Sequence, residues 1–166
     1  MNDMLHIENF EPCHFYTMRL RKEDTADFAG LDREELVQLW KHGRTLLHQE
    51  EPILIYGFTE NRGTASLWAV TSQQTDSYPL FITRLALNGM ARLFRLGIHR
   101  IEVYCHCKNG RSLAWLTRML GFQVEGLMRH CGPNKQDRFL LAMTEPDWKK
   151  RNEQSNARSM RMANHR

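Results

Sequence analysis

Between Thr64 and Phe122 the apolar positions change period three times, and the rest of the chain is arranged around that stretch. From Thr64 to Thr71, Ala65, Leu67 and Ala69 alternate with Ser66, Trp68 and Val70, so both faces are apolar enough for a strand inside a sheet. A polar loop, Ser72 to Ser77, ends it. Pro79 suits the first turn of a helix, where its missing N–H is not needed. From there Ile82, Leu85, Ala86, Met90, Leu93 and Phe94 keep helical spacing, with Arg84, Asn88, Arg92 and Arg95 opposite them. Gly97 closes the helix, and Ile101 to Cys107 alternates again, with Ile101, Val103, Cys105 and Cys107 on one side. Two strands joined by a helical crossover are expected to lie parallel and adjacent. A shorter helix, Ser112 to Leu120, follows Asn109 and stops at Gly121, before the strand that starts at Phe122.

The flanks supply cover for this unit. Met4 to Asn9 reads as a strand and Pro12 to Met18 as a short helix. Lys22 to Phe28 and Asp32 to His42 read as two helices about Gly30, the second with Leu36, Leu39 and Trp40 inward. Arg44 to His48 and Ile53 to Phe58 form a hairpin through Glu50, Glu51 and Pro52, and a turn at Glu60 to Gly63 leads into the central strand. Gln123 to Met128 and Arg138 to Met143 form another hairpin, about Gly132, Pro133 and Asn134. Glu145 and Pro146 end the pattern. After Trp148 the chain is polar and arginine-rich without periodicity, a composition expected to be disordered alone. The expectation is therefore one domain over 1–148 and a basic tail over 149–166.

Charge sharpens that division. The net charge is +4, yet residues 149–166 hold six Lys and Arg against Glu153 alone, which is +5 and leaves −1 for the body. By composition the body is no nucleic-acid surface. The tail has three readings: a solvated terminus, an arm on nucleic acid such as packaged DNA, or a segment that folds on a protein partner. Cys13, Cys105, Cys107 and Cys131 lack framework spacing, which points to a reduced, intracellular setting. Cys105 and Cys107 fall on one strand face and His106 on the other, so no metal set converges there and none is expected. No apolar run approaches the roughly 20 residues of a membrane span, and the start of the chain lacks a secretory signal. Trp40, Trp68 and Trp115 are expected in the core, while Trp148 is the one placed to dock on another subunit.

The order of elements, together with Asn109, Ser112, Trp115, Leu116, Leu120, Gly121, Phe122, Val124, Glu125 and Gly126, resembles the GCN5-related N-acetyltransferase (GNAT) family over roughly residues 3 to 144. The resemblance implies an α/β fold, the acyl-CoA N-acyltransferase fold: a mixed, mostly antiparallel sheet of about seven strands with one parallel pair, flanked by helices. Leu54-Ile55-Tyr56-Gly57 with Trp68, Val70, Thr71, Ser72 and Gln74 is similar, more narrowly, to small acetyltransferase-like proteins of short-tailed, podovirus-type phages. One of these is known as an internal virion protein. That likeness implies a place in the virion or the host cytoplasm, with other virion or assembly proteins as partners.

The resemblance also implies where acetyl-CoA would lie. Ala69, Val70 and Thr71 would pair with pantetheine, and Gln73, Gln74 and Ser77 would hold the pyrophosphate at the start of the crossover helix. Asn109 and Ser112 would contact the pantetheine or adenine end. The family's phosphate loop carries two glycines; Gln73 to Pro79 has none, Pro79 removes a donor, and Asp76 puts a negative charge against the phosphates. Cofactor binding is expected to be weak or lost. The central strand offers Ser66, Trp68 and Val70 in place of a glutamate base. Where the family places a tyrosine acid stand Leu116 or Thr117, an ambiguity created by one extra residue between Asn109 and Gly121. Tyr104 and His106 are the catalytic substitutes on offer, with Tyr78 behind them. The sequence thus leads to a virion or assembly component with a degenerate acetyl-CoA site, and, as alternatives, to an active N-acetyltransferase or a nucleic-acid accessory factor.

Overall fold

The computed structural model describes residues 5–163 apart from 23–24, 26–33, 35–36, 38–39, 41 and 133, and no side chain beyond 157. The two helices expected at Lys22–Phe28 and Asp32–His42 lie largely outside the described residues. The remaining elements run β1 (Leu5–Asn9), α1 (Pro12–Thr17), β2 (Arg44–His48), β3 (Glu51–Asn61) and β4 (Thr64–Thr71). A 3-10 turn at Gln73–Ser77 follows, then α2 (Pro79–Arg95), β5 (Arg100–His106), α3 (Gly110–Ala114) with a π-helical extension at Trp115–Leu120, β6 (Gln123–Met128), β7 (Arg138–Thr144) and α4 (Glu145–Ala163). The strands form one sheet in the order β1-β2-β3-β4-β5-β7-β6. Every neighbouring pair is antiparallel except β4 and β5, which the α2 crossover makes parallel.

Several boundaries move from those read in the sequence. The strand expected at Ile53–Phe58 extends to Glu51–Asn61, because both of its turns are two residues long and hold positive φ. Gln49 and Glu50 make the first and Arg62 and Gly63 the second, and such turns match the twist of the strands they join. Gly57 sits opposite Trp68 on β4; a Cβ there would come within 2.5 Å of the indole, so only glycine leaves room for the ring. Trp68 stacks on Trp40 with centroids 5.0 Å apart.

Side-chain alternation sorts the core into two layers. On one face α2 lays Met90 and Leu93 over Ala65 and Ile101, with Leu116, Leu120 and Phe122 completing the layer. Its first turns, Ile82 and Leu85, reach Leu46, Ile53 and Leu54. Each such side chain removed from water contributes about 1.5–3 kcal/mol. On the other face Phe15, Met18 and Trp40 cover Ile55 and Val70. Trp115, expected in the core, is only partly buried, and its indole N–H donates to Thr83 Oγ1 of α2 at 3.0 Å.

The C-terminal segment departs most from expectation. Glu145 and Pro146 begin a helix rather than ending the fold, and the supposed tail is helical to Ala163. Thr144 and Asp147 explain the start: Thr144 N–H donates to the Asp147 carboxylate at 3.2 Å, and Thr144 Oγ1 accepts from Asp147 N–H at 3.4 Å, the reciprocal pattern of a capping box. Trp148, half-buried, packs within its own chain. It stacks on Phe94 of α2 at 5.5 Å, and the Arg151 guanidinium lies over its ring at 5.6 Å while Nη2 donates to Met119 O at 3.2 Å. Ending the chain at Trp148 should therefore lower stability by about 1–2 kcal/mol. Thermal unfolding followed by circular dichroism should show a drop of about 2–8 degrees. A chain ended at Asn152 keeps Arg151 and should stay within about 0.5 kcal/mol of the full protein.

Candidate functional site

The site is made by a pairing that stops early. β4 and β5 are in register from Thr64 with Arg100 to Leu67 with Val103, and then part, although β4 runs to Thr71 and β5 to His106. Past that point β4 keeps β3 and β5 keeps β7 on their outer edges. Ser72 N–H still bonds Ile53 O at 2.9 Å, so by alternation Ala69 and Thr71 turn their backbone groups into the gap. Ala69 is exposed in mid-strand, as a residue beside an opening should be, while Val70 is fully buried against the α1 layer.

At the mouth of the gap the 3-10 turn Gln73–Ser77 faces the start of α3. Arg111, in the first turn of α3, closes on the Asp76 carboxylate with Nη1 at 2.7 Å and Nη2 at 2.6 Å. Arg21 reaches the same carboxylate from the segment after α1, and its Nη2 donates to Thr75 Oγ1 at 2.7 Å. Thr75 is buried and donates in turn to Ser72 O at 2.6 Å. Desolvation pushes the Asp76 carboxyl up, but the hydrogen bonds from Arg111 and Arg21 outweigh it and hold the group below the usual aspartate range.

The expected cofactor residues fall on both sides of this mouth. Gln73, Gln74 and Ser77 lie in the turn, exposed, and Gln74 Nε2 donates to Glu51 at 3.4 Å. Asn109 caps α3: its Oδ1 accepts from Ser112 N–H at 3.0 Å, so these two residues already serve each other. Tyr78 stands at the start of α2 and Pro79 at its first position. Arg21, Thr75 and Arg111 carry the geometry yet were not singled out in the sequence. Arg111 had a signal, since it lies between Asn109 and Ser112; Arg21 had none.

Several of the polar groups along the parted strands are bonded within the chain. Ser66 Oγ donates to Glu102 at 2.7 Å, and Glu102 also takes Arg100 Nε at 3.3 Å, so the carboxylate next to the parting point is already bonded. Arg100 forks onto Glu125 at 2.9 and 2.6 Å. Glu125 is placed there by a bulge between Val124 and Gly126. Leu116 is in the core and Thr117 donates its hydroxyl to Leu113 O at 2.8 Å, so neither possible tyrosine position offers a proton to the gap. The extra residue of this segment is taken up by the π-helical turn at Trp115–Leu120. Burial pushes the Tyr104 phenol up, with Glu102 adding to it, and Tyr104 is 39% exposed. His106 Nδ1 accepts from Lys108 N–H at 3.0 Å, and the ring lines a hollow of about 290 Å³ with Cys107, Lys108, His130 and Lys135. Burial pushes the Cys105 thiol up to about 11, which leaves it uncharged at neutral pH. No three His, Cys, Asp or Glu side chains gather as a metal site among the described residues.

No protein-family profile matches the sequence, and no curated protein does. Solved structures do. Spermidine N-acetyltransferase from Vibrio cholerae, solved with CoA and spermine, superposes with a TM-score of 0.68 at 14% identity, covering 89% of this chain and 99% of that one. The ribosomal-protein-S18-alanine N-acetyltransferase of Escherichia coli gives 0.64 at 13%, over 85% and 94%. RimJ from Mycobacterium smegmatis, in complex with CoA-disulfide, gives 0.62 at 17%, over 86% and 83%. The chain has the GNAT fold. The GNAT sheet with its parted parallel pair is thus present as expected, and the likeness is one of fold. No helix among the described residues is long and apolar enough to cross a membrane.

The ion pair at the mouth has a pH signature. A carboxylate whose folded pKa is depressed adds stability above its unfolded value of about 3.9 and loses it as pH falls through the folded value. Asp76→Asn should therefore be less stable than the native chain at neutral pH, by the small amount usual for a half-exposed pair. The gap between the two should close only below about pH 4, measured by urea unfolding from about pH 7 to about pH 2.

Proposed function

We propose that this chain is a GNAT-fold protein that no longer turns over acetyl-CoA and works through protein contacts, as a component of a phage particle or of its assembly. The observation that carries the reading is the Asp76 carboxylate, held by Arg21 and Arg111 at the mouth of the gap. A diphosphate at the start of α2 would meet that charge at close range, with no glycine in the turn to bring backbone N–H groups near it and with Pro79 lacking one. The residues present do not fit the group. The engagement of Glu102 by Ser66 and Arg100, and of Thr117 by its own backbone, adds to this, since general acid–base work needs a group with a free site near the reacting atoms.

The placement in a phage rests on the likeness of Leu54–Gly57, Trp68 and the residues through Gln74 to the small proteins of short-tailed phages. The contacts are assigned to the outer surface and to α4, whose Lys149 and Lys150 are exposed on a helix anchored at Trp148. Other virion proteins are the partners proposed for it, and packaged DNA the alternative one.

A second reading, an N-acetyltransferase acting on a protein or small amine, is favoured by the parted strands themselves and by the likeness to the spermidine and ribosomal-protein-S18-alanine N-acetyltransferases. One experiment decides between the two. Purified protein is incubated with acetyl-CoA and, in turn, spermine, an alanine-started peptide and a lysate of host proteins, and release of free thiol is followed. The scaffold reading expects no release above the protein-free rate. Steady release that rises with protein concentration would overturn it and establish the enzyme.

A further inference from the structure

The gap beyond Leu67 and Val103 is closed by the chain itself, and two separate contacts do it. The first lies along β4. Leu20 bridges Ser72 antiparallel, Arg21 N–H donates to Thr71 O at 3.0 Å, and Arg21 Nε donates to Ser72 O at 3.0 Å. Because Ser72 N–H is turned to β3, the Thr71 carbonyl that Arg21 takes is one of the groups facing the gap. The second crosses the mouth. Asp76 belongs to the turn after β4 and Arg111 to the helix after β5, so their two-fold bond at 2.7 and 2.6 Å ties together the ends of the strands that part.

Two guanidiniums do not converge unaided. At contact distance their charges repel, and an anion between them is what makes the arrangement favourable. Planar forks presented to two oxygens of one group are also the geometry by which arginine recognises phosphate. Asp76 fills that role here with both of its oxygens engaged. At the same corner the Ser72 hydroxyl is buried and has no hydrogen-bond partner among the described residues, a donor in reserve.

Resting on the reading that the parted strands are a cofactor cleft, we propose that Arg21 and Arg111 form a binding site for a diphosphate group, kept shut by the chain's own Asp76 carboxylate as an internal latch. The electrostatic part of the misfit between this chain and the cofactor of its fold is then carried by one removable group, while the glycine-free turn and Pro79 remain. Taking away the carboxylate leaves two guanidiniums without an anion, and a diphosphate supplies the charge they lack. Binding returns under this scheme while turnover does not, because none of the three residues is placed to move a proton on a substrate.

The test is calorimetric titration of inorganic pyrophosphate and, separately, CoA into the full-length protein, Asp76→Asn, Asp76→Ala, and the double variant Asp76→Asn with Arg111→Gln. Far-UV circular dichroism checks that each is folded. Pyrophosphate should bind both single variants about 10- to 100-fold more tightly than the native chain, the loss of one charged hydrogen-bond partner converted to affinity. The gain should vanish in the double variant and shrink as sodium chloride is added. Equal pyrophosphate affinity in the native chain and both single variants overturns the latch, and so does a gain that survives Arg111→Gln. CoA separates the latch from the reading beneath it. A pyrophosphate gain without a CoA gain leaves the latch standing and removes the cofactor cleft; a CoA gain without a pyrophosphate gain keeps the cleft and overturns the anion site.

Discussion

Two parallel strands that separate while both continue leave backbone N–H and C=O groups with no ladder to join, and such groups need partners. Much of this molecule follows from that requirement. β3 and β7 hold the outer edges to the ends of β4 and β5, so the parting is confined to one gap. Inside it, exposure of Ala69 lets water serve part of the edge, and Arg21 serves the Thr71 carbonyl. The same arginine then supplies its side chain to Ser72, Thr75 and Asp76, so one residue meets a backbone need and a charge need together.

The helices around the gap are fixed by contacts that leave them little freedom. α2 is held at its middle by Met90 and Leu93 in the core and at its end by Phe94 on Trp148, and the indole of Trp115 ties it to the helix after β5. Against the family pattern read in the sequence, that second helix carries one extra residue. Widening Trp115–Leu120 to a π turn absorbs it without moving Asn109 at one end or Gly121, at φ +88, at the other. The cost falls on the middle of the helix, where Leu116 is turned into the core and Thr117 onto its own backbone.

Strands were legible because they are written in nearest neighbours, although the first hairpin turn falls at Gln49 and Glu50, with the Glu51 and Pro52 read as turn paired inside β3. The alternation from Thr64 to Thr71 matches β4 residue for residue, and Gly97 and Gly121 stand at positive φ just past their helices as read. The C-terminal helix was missed because its support is not periodic. It starts from a Thr144–Asp147 cap and rests on one tryptophan set against a phenylalanine 54 residues earlier, so composition alone read as disorder. At the mouth of the gap the sequence showed Asp76 as a misplaced charge and nothing more. Its meaning depends on Arg21, which lies 55 residues before it, and Arg111, 35 after it, and no spacing rule links positions that only the sheet brings together.

Binding and turnover occupy different parts of this gap, and that separation bears on function. The charges that would decide whether a diphosphate is held sit at the open end, on Asp76, Arg21 and Arg111. Proton transfer would take place deeper, where β4 and β5 first part. There Glu102 is shared between Ser66 and Arg100, and the Tyr104 phenol is pushed up by burial and by Glu102, away from the range useful at neutral pH. Opening the mouth does nothing to free Glu102, because its partners are set by the paired half of the strands, Ser66 facing Glu102 in register. A ligand admitted by loss of the latch would reach a chamber whose carboxylate is already neutralised. The two features are independent in structure, so a change at the mouth leaves the bonding of Glu102 as it is.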